Sequence, residues 1–152
     1  DAAFETGPGR VTPQMIARPQ FGGRERLDVP LGNQVDLLGY DLIEQQNGIE
    51  VVLYWRANSY FNENYQAFVH AIDGNGELVT QYDSAPECGI NPTTRWEPGT
   101  VIRDPHPLEY PADLSTDQPL RLVAGMYNLI TLERLPVEGE PGNFVALTEV
   151  RP

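Results

Sequence analysis

Three side chains in this sequence carry groups suited to nucleophilic or general-base chemistry near neutral pH: His70, His106 and Cys88. None sits in a recognisable motif. His70 falls in an apolar run beside Phe68 and Ile72, where a hydrogen-bonded structural histidine is the simpler expectation. His106 stands between Pro105 and Pro107 and is expected to be exposed. Cys88 has no neighbour in sequence that would lower its pKa, so it reads as a small loop thiol. As the only cysteine it can form no internal disulfide. No pair of carboxylates and no triad can be placed by spacing, and no catalytic residue is assigned.

Two further groups could bind without reacting. Asp73-Gly74-Asn75-Gly76-Glu77 places oxygen ligands at alternate positions, as Ca²⁺ loops do, but lacks the distal glutamate and the flanking helices of such a loop. A hairpin turn accounts for it, and no metal ligand is assigned. A Ca²⁺ site assembled from separate loops, using Asp41, Asp83 or Asp104, stays open. Tyr60, Phe61 and Tyr65 border an asparagine-rich loop, and flat rings beside amides are what a sugar surface needs: rings for the C–H face, amides for the hydroxyls. With Trp96 they form the candidate ligand-binding set. The competing expectation is that these rings cover the end of the fold, with Trp96 pinning the long loop that contains it.

The elements that must position these groups are strands. Ile49 to Ala57 and Tyr65 to Ile72 are rich in β-branched and aromatic residues. Tyr54 and Trp55 point to opposite faces, with Trp55 assigned to the core. The Asp73–Gly76 turn returns the chain through Glu77 to Asp83, and a loop centred on Gly74-Asn75 would set Ala71 opposite Leu78, His70 opposite Val79 and Val69 opposite Thr80. Val35 to Ile43, with Leu38, Tyr40 and Leu42 on one face, pairs with Ile49 to Ala57 through Gln45-Gln46-Asn47-Gly48. Ser84 to Gly99 is a loop broken by proline and glycine.

Thr100 to Asp104 resumes the strand pattern, and Pro105 and Pro107 confine it to an edge or a bulge. Leu108 to Leu114 carries the chain across to the strand Leu120 to Tyr127; Leu132 to Val137 comes back, and Phe144 to Val150 closes. About eight strands with no amphipathic helix indicate an all-β, antiparallel β-sandwich of Greek-key or jelly-roll type. Residues 1–26, with Pro8, Pro13 and Pro19, read as a linker or extended arm, and 27–152 as the sandwich domain, with Pro30 placing Leu27 to Leu31 at an edge.

The 152 residues are about one domain's worth. With 22 acidic residues against 10 basic ones, the net charge is −12, a field that repels phosphate backbones and anionic membranes, so nucleic acid is excluded as a partner. No apolar run approaches the ~20 residues that span a bilayer. A start at Asp1 suggests a piece of a longer protein.

Leu38-Gly39-Tyr40-Asp41-Leu42, Leu53-Tyr54-Trp55, Phe68-Val69-His70, Asp73 with Gly76, Gln81-Tyr82-Asp83, Pro92-Thr93, Trp96, Pro98-Gly99, Asp104, Gly125-Met126-Tyr127 and Arg134-Leu135-Pro136-Val137 together form a pattern in order and spacing. It resembles the soluble C-terminal β-sandwich domain of bacterial polytopic glycosyltransferases of the protein-mannosyltransferase-like class and of related membrane proteins. The resemblance covers about Val35 to Val150. It implies a non-catalytic, extracytoplasmic accessory module, tethered through a membrane-embedded portion that carries the transferase chemistry, and meeting a glycan or a protein acceptor. The chain departs from the pattern at Pro105-His106-Pro107, where an uninterrupted strand is usual, and at Glu87-Cys88, in a loop usually richer in glycine. A structural or protein-interaction sandwich without a small-molecule ligand is the alternative.

Overall fold

The computed structural model describes residues 22–115 and 117–152. Most of the expected arm, residues 1–26, lies outside them, but Glu25 and Arg26 already belong to a strand. The described chain forms β1 (Glu25–Leu31), β2 (Val35–Gln45), β3 (Gly48–Ala57), β4 (Tyr65–Ile72), β5 (Leu78–Ser84), a short 3₁₀ turn at Thr93–Arg95, β6 (Val101–Glu109), β7 (Leu120–Asn128) and β8 (Val145–Val150). These make two four-stranded antiparallel sheets, ordered β1-β2-β3-β6 and β5-β4-β7-β8. The protein is an antiparallel β-sandwich. The chain crosses between sheets after β3, β5 and β6. No helix among the described residues is long and apolar enough to cross a membrane.

Alternation decides which side chains enter the space between the sheets. Val51, Leu53 and Trp55 of β3, Val69 and Ala71 of β4, and Leu122, Ala124 and Met126 of β7 are fully buried in one shared core. Tyr54 points the other way, joining Leu38 and Val52 in a small cluster on the outer face of the first sheet. A fully buried tryptophan excludes some 150–250 Å² from water, which makes Trp55 a principal contributor to the core.

Three expectations change. Leu38, Tyr40 and Leu42 do not share a face: the pairing shifts between Leu37 and Gly39, a β-bulge that leaves Leu38 outside and returns Tyr40 to the core, while Leu42 is partly exposed. Gly39 at this bulge has no room for a side chain, because a Cβ would collide with the carbonyl oxygens of Gly22 and Glu25. The β4–β5 register also differs. Ala71 pairs with Thr80, His70 with Gln81 and Val69 with Tyr82, two residues beyond the expected partners, and Leu78 pairs with Ile72.

The reason for the new register is local. The turn is closed by Gly76 N–H donating to Asp73 O at 3.0 Å, Asp73 Oδ1 accepts from the N–H groups of Asn75 and Glu77, and the positive φ falls on Gly76 at 82°. A bulge after this turn absorbs the extra residue and puts Leu78 outside, 52% exposed. Finally, Leu132 to Val137 is not a strand; its one ladder-type pairing with the sheet is the isolated bridge Tyr127 to Arg134, it packs Leu135 and Val137 into the core, and Leu132 itself has φ of 65°.

The register carries an energetic consequence. Leu78→Ala changes stability by no more than about 0.5 kcal/mol, the usual range for an exposed site, whereas Leu122→Ala in the core costs about 2–5 kcal/mol. Urea denaturation of the two variants checks this; equal losses would return Leu78 to the core.

Candidate functional site

The histidine between the prolines is the main surprise, and it belongs to the seam where the two sheets meet. His106 and Asp104 are both completely buried. Alternation along β6 explains it: Ile102, Asp104, His106 and Leu108 point inward, while Arg103, Pro107 and Glu109 are exposed on the other side. Asp104 accepts three hydrogen bonds: Trp55 Nε1–H at 3.0 Å and His106 Nε2 at 2.8 Å on Oδ2, and Glu87 N–H at 2.8 Å on Oδ1. His106 Nδ1 stands 2.8 Å from Tyr82 O. Both imidazole nitrogens thus face oxygens, Tyr82 O and Asp104 Oδ2. The network joins β3, β5, β6 and the β5–β6 loop.

This seam lies along the edges of β5 and β6. Tyr82 O is taken by His106, and Pro105 and Pro107 have no N–H. β6 is an edge strand, as the prolines require. Beside the seam, the β2–β3 turn rises to enclose a cleft of about 670 Å³ lined by Gln45, Gln46, Asn47, Gln81, Tyr82 and Glu109, among others. A second cleft of about 420 Å³ shares Gln46, Asn47 and Glu109 and adds Tyr110, Pro111 and Leu114. A third, about 550 Å³, shares Pro111 and Leu114 and reaches Asp73, Asn75, Ser115 and Gln118. Each volume falls in the range of small-molecule sites, about 300–1,000 Å³.

All three lie at one end of the sandwich, where β2 turns into β3, β4 turns into β5 and the chain crosses from β6 to β7. Their polar groups are amides, hydroxyls and carboxylates, and among the described residues none is lined by an arginine. Hydrogen bonding with Cys88, then burial, raises the Tyr82 phenol above its ordinary pKa; burial, then the Glu44 carboxylate, does the same for Tyr110. Both therefore present neutral O–H groups at neutral pH. Of the lining residues, sequence reasoning weighed only Asp73 and Asn75, as oxygen ligands of a turn; the rest come from segments far apart in the chain.

The aromatic set expected from the sequence is at the opposite end and divides. Tyr60 is 66% exposed, but Phe61 and Trp96 are 5% and 2% exposed. Phe61 packs edge-on against Trp96 at 5.7 Å and Tyr65 at 5.4 Å, and Trp96 donates its indole N–H to Asn91 O at 3.0 Å. Trp96 thus pins the long loop, and the set forms no common platform. Glu63 and Asn64 staple the surrounding loops: Asn128 donates to Glu63 Oε1, Leu129 N–H to Asn64 O, and buried Thr93 donates to Glu63 O.

The other singled-out residues lie apart. His70 is on the outer face of the second sheet, mostly buried, with Nε2 3.3 Å from Asp83 Oδ1. Its ring lies 4.7 Å from that of Phe68, which Arg134 covers at 4.3 Å. Asp83 also accepts from the Tyr127 hydroxyl at 3.0 Å. Asp41 accepts from the Tyr54 hydroxyl on the outer face of the first sheet. Asp41, Asp83 and Asp104 therefore occupy three different layers, and among the described residues no three acidic, histidine or cysteine side chains gather where they could hold a metal ion. Cys88 is an exposed free thiol with φ of 56°, its sulfur 3.9 Å from Pro105 O.

Two outcomes follow. Asp104→Ala orphans three buried donors and should cost about 3–5 kcal/mol, the usual loss when one member of a buried charged network is removed; a loss under about 1 kcal/mol in denaturant titration would show that the network does not hold the seam. Tyr127 gives a pH test. Burial, then the charge and hydrogen bond of Asp83, push its phenol up to about 12 against a partial offset from Arg134. A folded pKa above the unfolded one stabilises fully below the unfolded value, and that stabilisation is lost as pH rises through the folded value. Absorbance titration should show one tyrosine ionising near pH 12, absent in Tyr127→Phe; a spectrum unchanged by the substitution would refute it. Compared with protein-family models, curated proteins and solved structures, the chain finds no match.

Proposed function

We propose that this domain is a non-catalytic binding module that takes up a glycan in the clefts at the β2–β3 end of the sandwich. The observation that carries the reading is the composition of the clefts: Gln45, Gln46, Asn47 and Gln81 converge with the rings of Tyr82 and Tyr110. Side-chain amides both donate and accept, which matches sugar hydroxyls, and tyrosine adds an apolar face with a polar tip. The seam beside the clefts argues for a glycan over an extended peptide, because strand addition needs free backbone groups and here the Tyr82 carbonyl is engaged and the prolines offer no N–H.

The groups suited to reaction do not meet: His106 is buried between the sheets, His70 lies on an outer face, and Cys88 is on a loop. The sequence resemblance adds the wider setting: an extracytoplasmic accessory domain that holds a glycan or acceptor for a membrane-embedded glycosyltransferase portion of the same protein.

A second reading, a protein-interaction domain, is favoured by the opposite end, where Tyr60, Ile90, Ile130 and Leu132 are each at least 66% exposed on neighbouring loops. Apolar side chains exposed together on one end of a domain are a feature of docking surfaces.

Isothermal calorimetry over a panel of neutral oligosaccharides separates the two. The glycan reading expects binding that Gln46→Ala and Tyr110→Ala each weaken about tenfold, a loss of about 1.4 kcal/mol, and that Tyr60→Ala leaves unchanged. Binding to no member of the panel, or binding lost only with Tyr60→Ala, would reject it. The interaction reading instead expects Ile130→Glu to abolish association with the rest of the polypeptide.

A further inference from the structure

We infer that the three clefts act as one track and that its ligand is a linear, uncharged oligosaccharide bound along several units, not a single terminal sugar or an acidic glycan; this rests on the glycan reading above. Continuity is the first ground. Gln46, Asn47 and Glu109 line both the first cleft and the second, and Pro111 and Leu114 line both the second and the third. The three clefts therefore adjoin in a row from the β2–β3 turn past Tyr110 to the β4–β5 turn.

Charge is the second ground. Glu109 stands at the first junction, and Asp73 and Asp113 stand in the far cleft, with no arginine among the described residues lining any of the three. Carboxylates are strong acceptors for sugar hydroxyls and repel uronate, sulfate or phosphate groups. The chain's net charge of −12 acts in the same direction at longer range.

The shape of the far cleft is the third ground. It opens between the Asp73–Gly76 turn and the β6–β7 crossover, and Val79, Leu114 and Leu120 line it together with Gln118 and Ser115. Such a site adds apolar contact and two hydroxyl partners for a distal unit, so each further sugar gains area and hydrogen bonds up to the end of the track.

The test uses malto-, cello- and manno-oligosaccharide ladders of one to six units, with oligogalacturonates of the same lengths as the acidic counterpart, all by calorimetry on the domain. In at least one neutral ladder, affinity should rise at least tenfold from the shortest binding member to the longest, and the oligogalacturonates should bind at least tenfold more weakly than neutral chains of equal length. Gln118→Ala, at an exposed position, should weaken the long chains severalfold and leave the shortest binding member unaffected, whereas Gln46→Ala should weaken both.

A monosaccharide that binds as tightly as its hexamer, or a Gln118→Ala effect equal at every length, would overturn the track while leaving a glycan site in place. Oligogalacturonate binding as tight as the neutral chains would overturn the charge preference. No binding to any ladder would overturn both the track and the glycan reading beneath it.

Discussion

A carboxylate buried between two sheets is the constraint on which this structure turns. In a low-dielectric interior an unpartnered charge is prohibitively unfavourable, so Asp104 can occupy its position only while Trp55, His106 and the Glu87 backbone all donate to it. Each donor belongs to a different part of the chain, and satisfying all three fixes how β3, β6 and the start of the long loop sit together. His106 extends the constraint to the second sheet through Tyr82 O. Hydrophobic burial alone would let the two sheet edges slide past one another; directional bonds converging on one side chain hold them in register. The clefts beside the seam exist because that edge is held in place.

The same constraint accounts for an apparent contradiction in the sequence. Pro105-His106-Pro107 looks like a break in a strand, yet β6 runs through it. Prolines two residues apart direct their missing N–H groups to the same side, and on an edge strand that side faces away from the ladder. The histidine between them points to the opposite face, into the core. An edge blunted in this way resists pairing with another chain, and the seam with β5 covers it further.

Much of the fold could be read from the chain. Alternation located the strands, the single-sided prolines located two edges, and the β-branched and aromatic run around Trp55 located the core. Period two also held the signal for His106, since Ile102-x-Asp104-x-His106-x-Leu108 puts the ionisable pair on the face of two apolar residues; the flanking prolines obscured it. Bulges could not be read. Leu38 and Leu78 changed faces because one extra residue entered a strand, a choice settled by Gly39 against the Gly22 and Glu25 carbonyls and by Asp73 capping its own turn. The aromatic loop suggested a sugar platform because Phe61 and Trp96 are distant in sequence and nothing local shows that they pack on each other. The clefts escaped notice for the complementary reason: Gln46, Gln81 and Glu109 are individually unremarkable surface residues, and only the sandwich brings them together.

The two ends of the sandwich differ in the physical character of what they can hold. At the end of the β3–β4 loop, aromatic side chains face one another, leaving aliphatic tips outside. At the β2–β3 end, amides, carboxylates and tyrosine rings line open clefts. A large excess of acidic charge biases that second end against anions, but the bias acts through water and is screened beyond about 8–10 Å at ordinary ionic strength. Hydrogen bonds to a neutral ligand are short-ranged and largely insensitive to salt. The acidic surface thus opposes anionic partners but not neutral ones, and it leaves the clefts open to hydroxyl-rich chains.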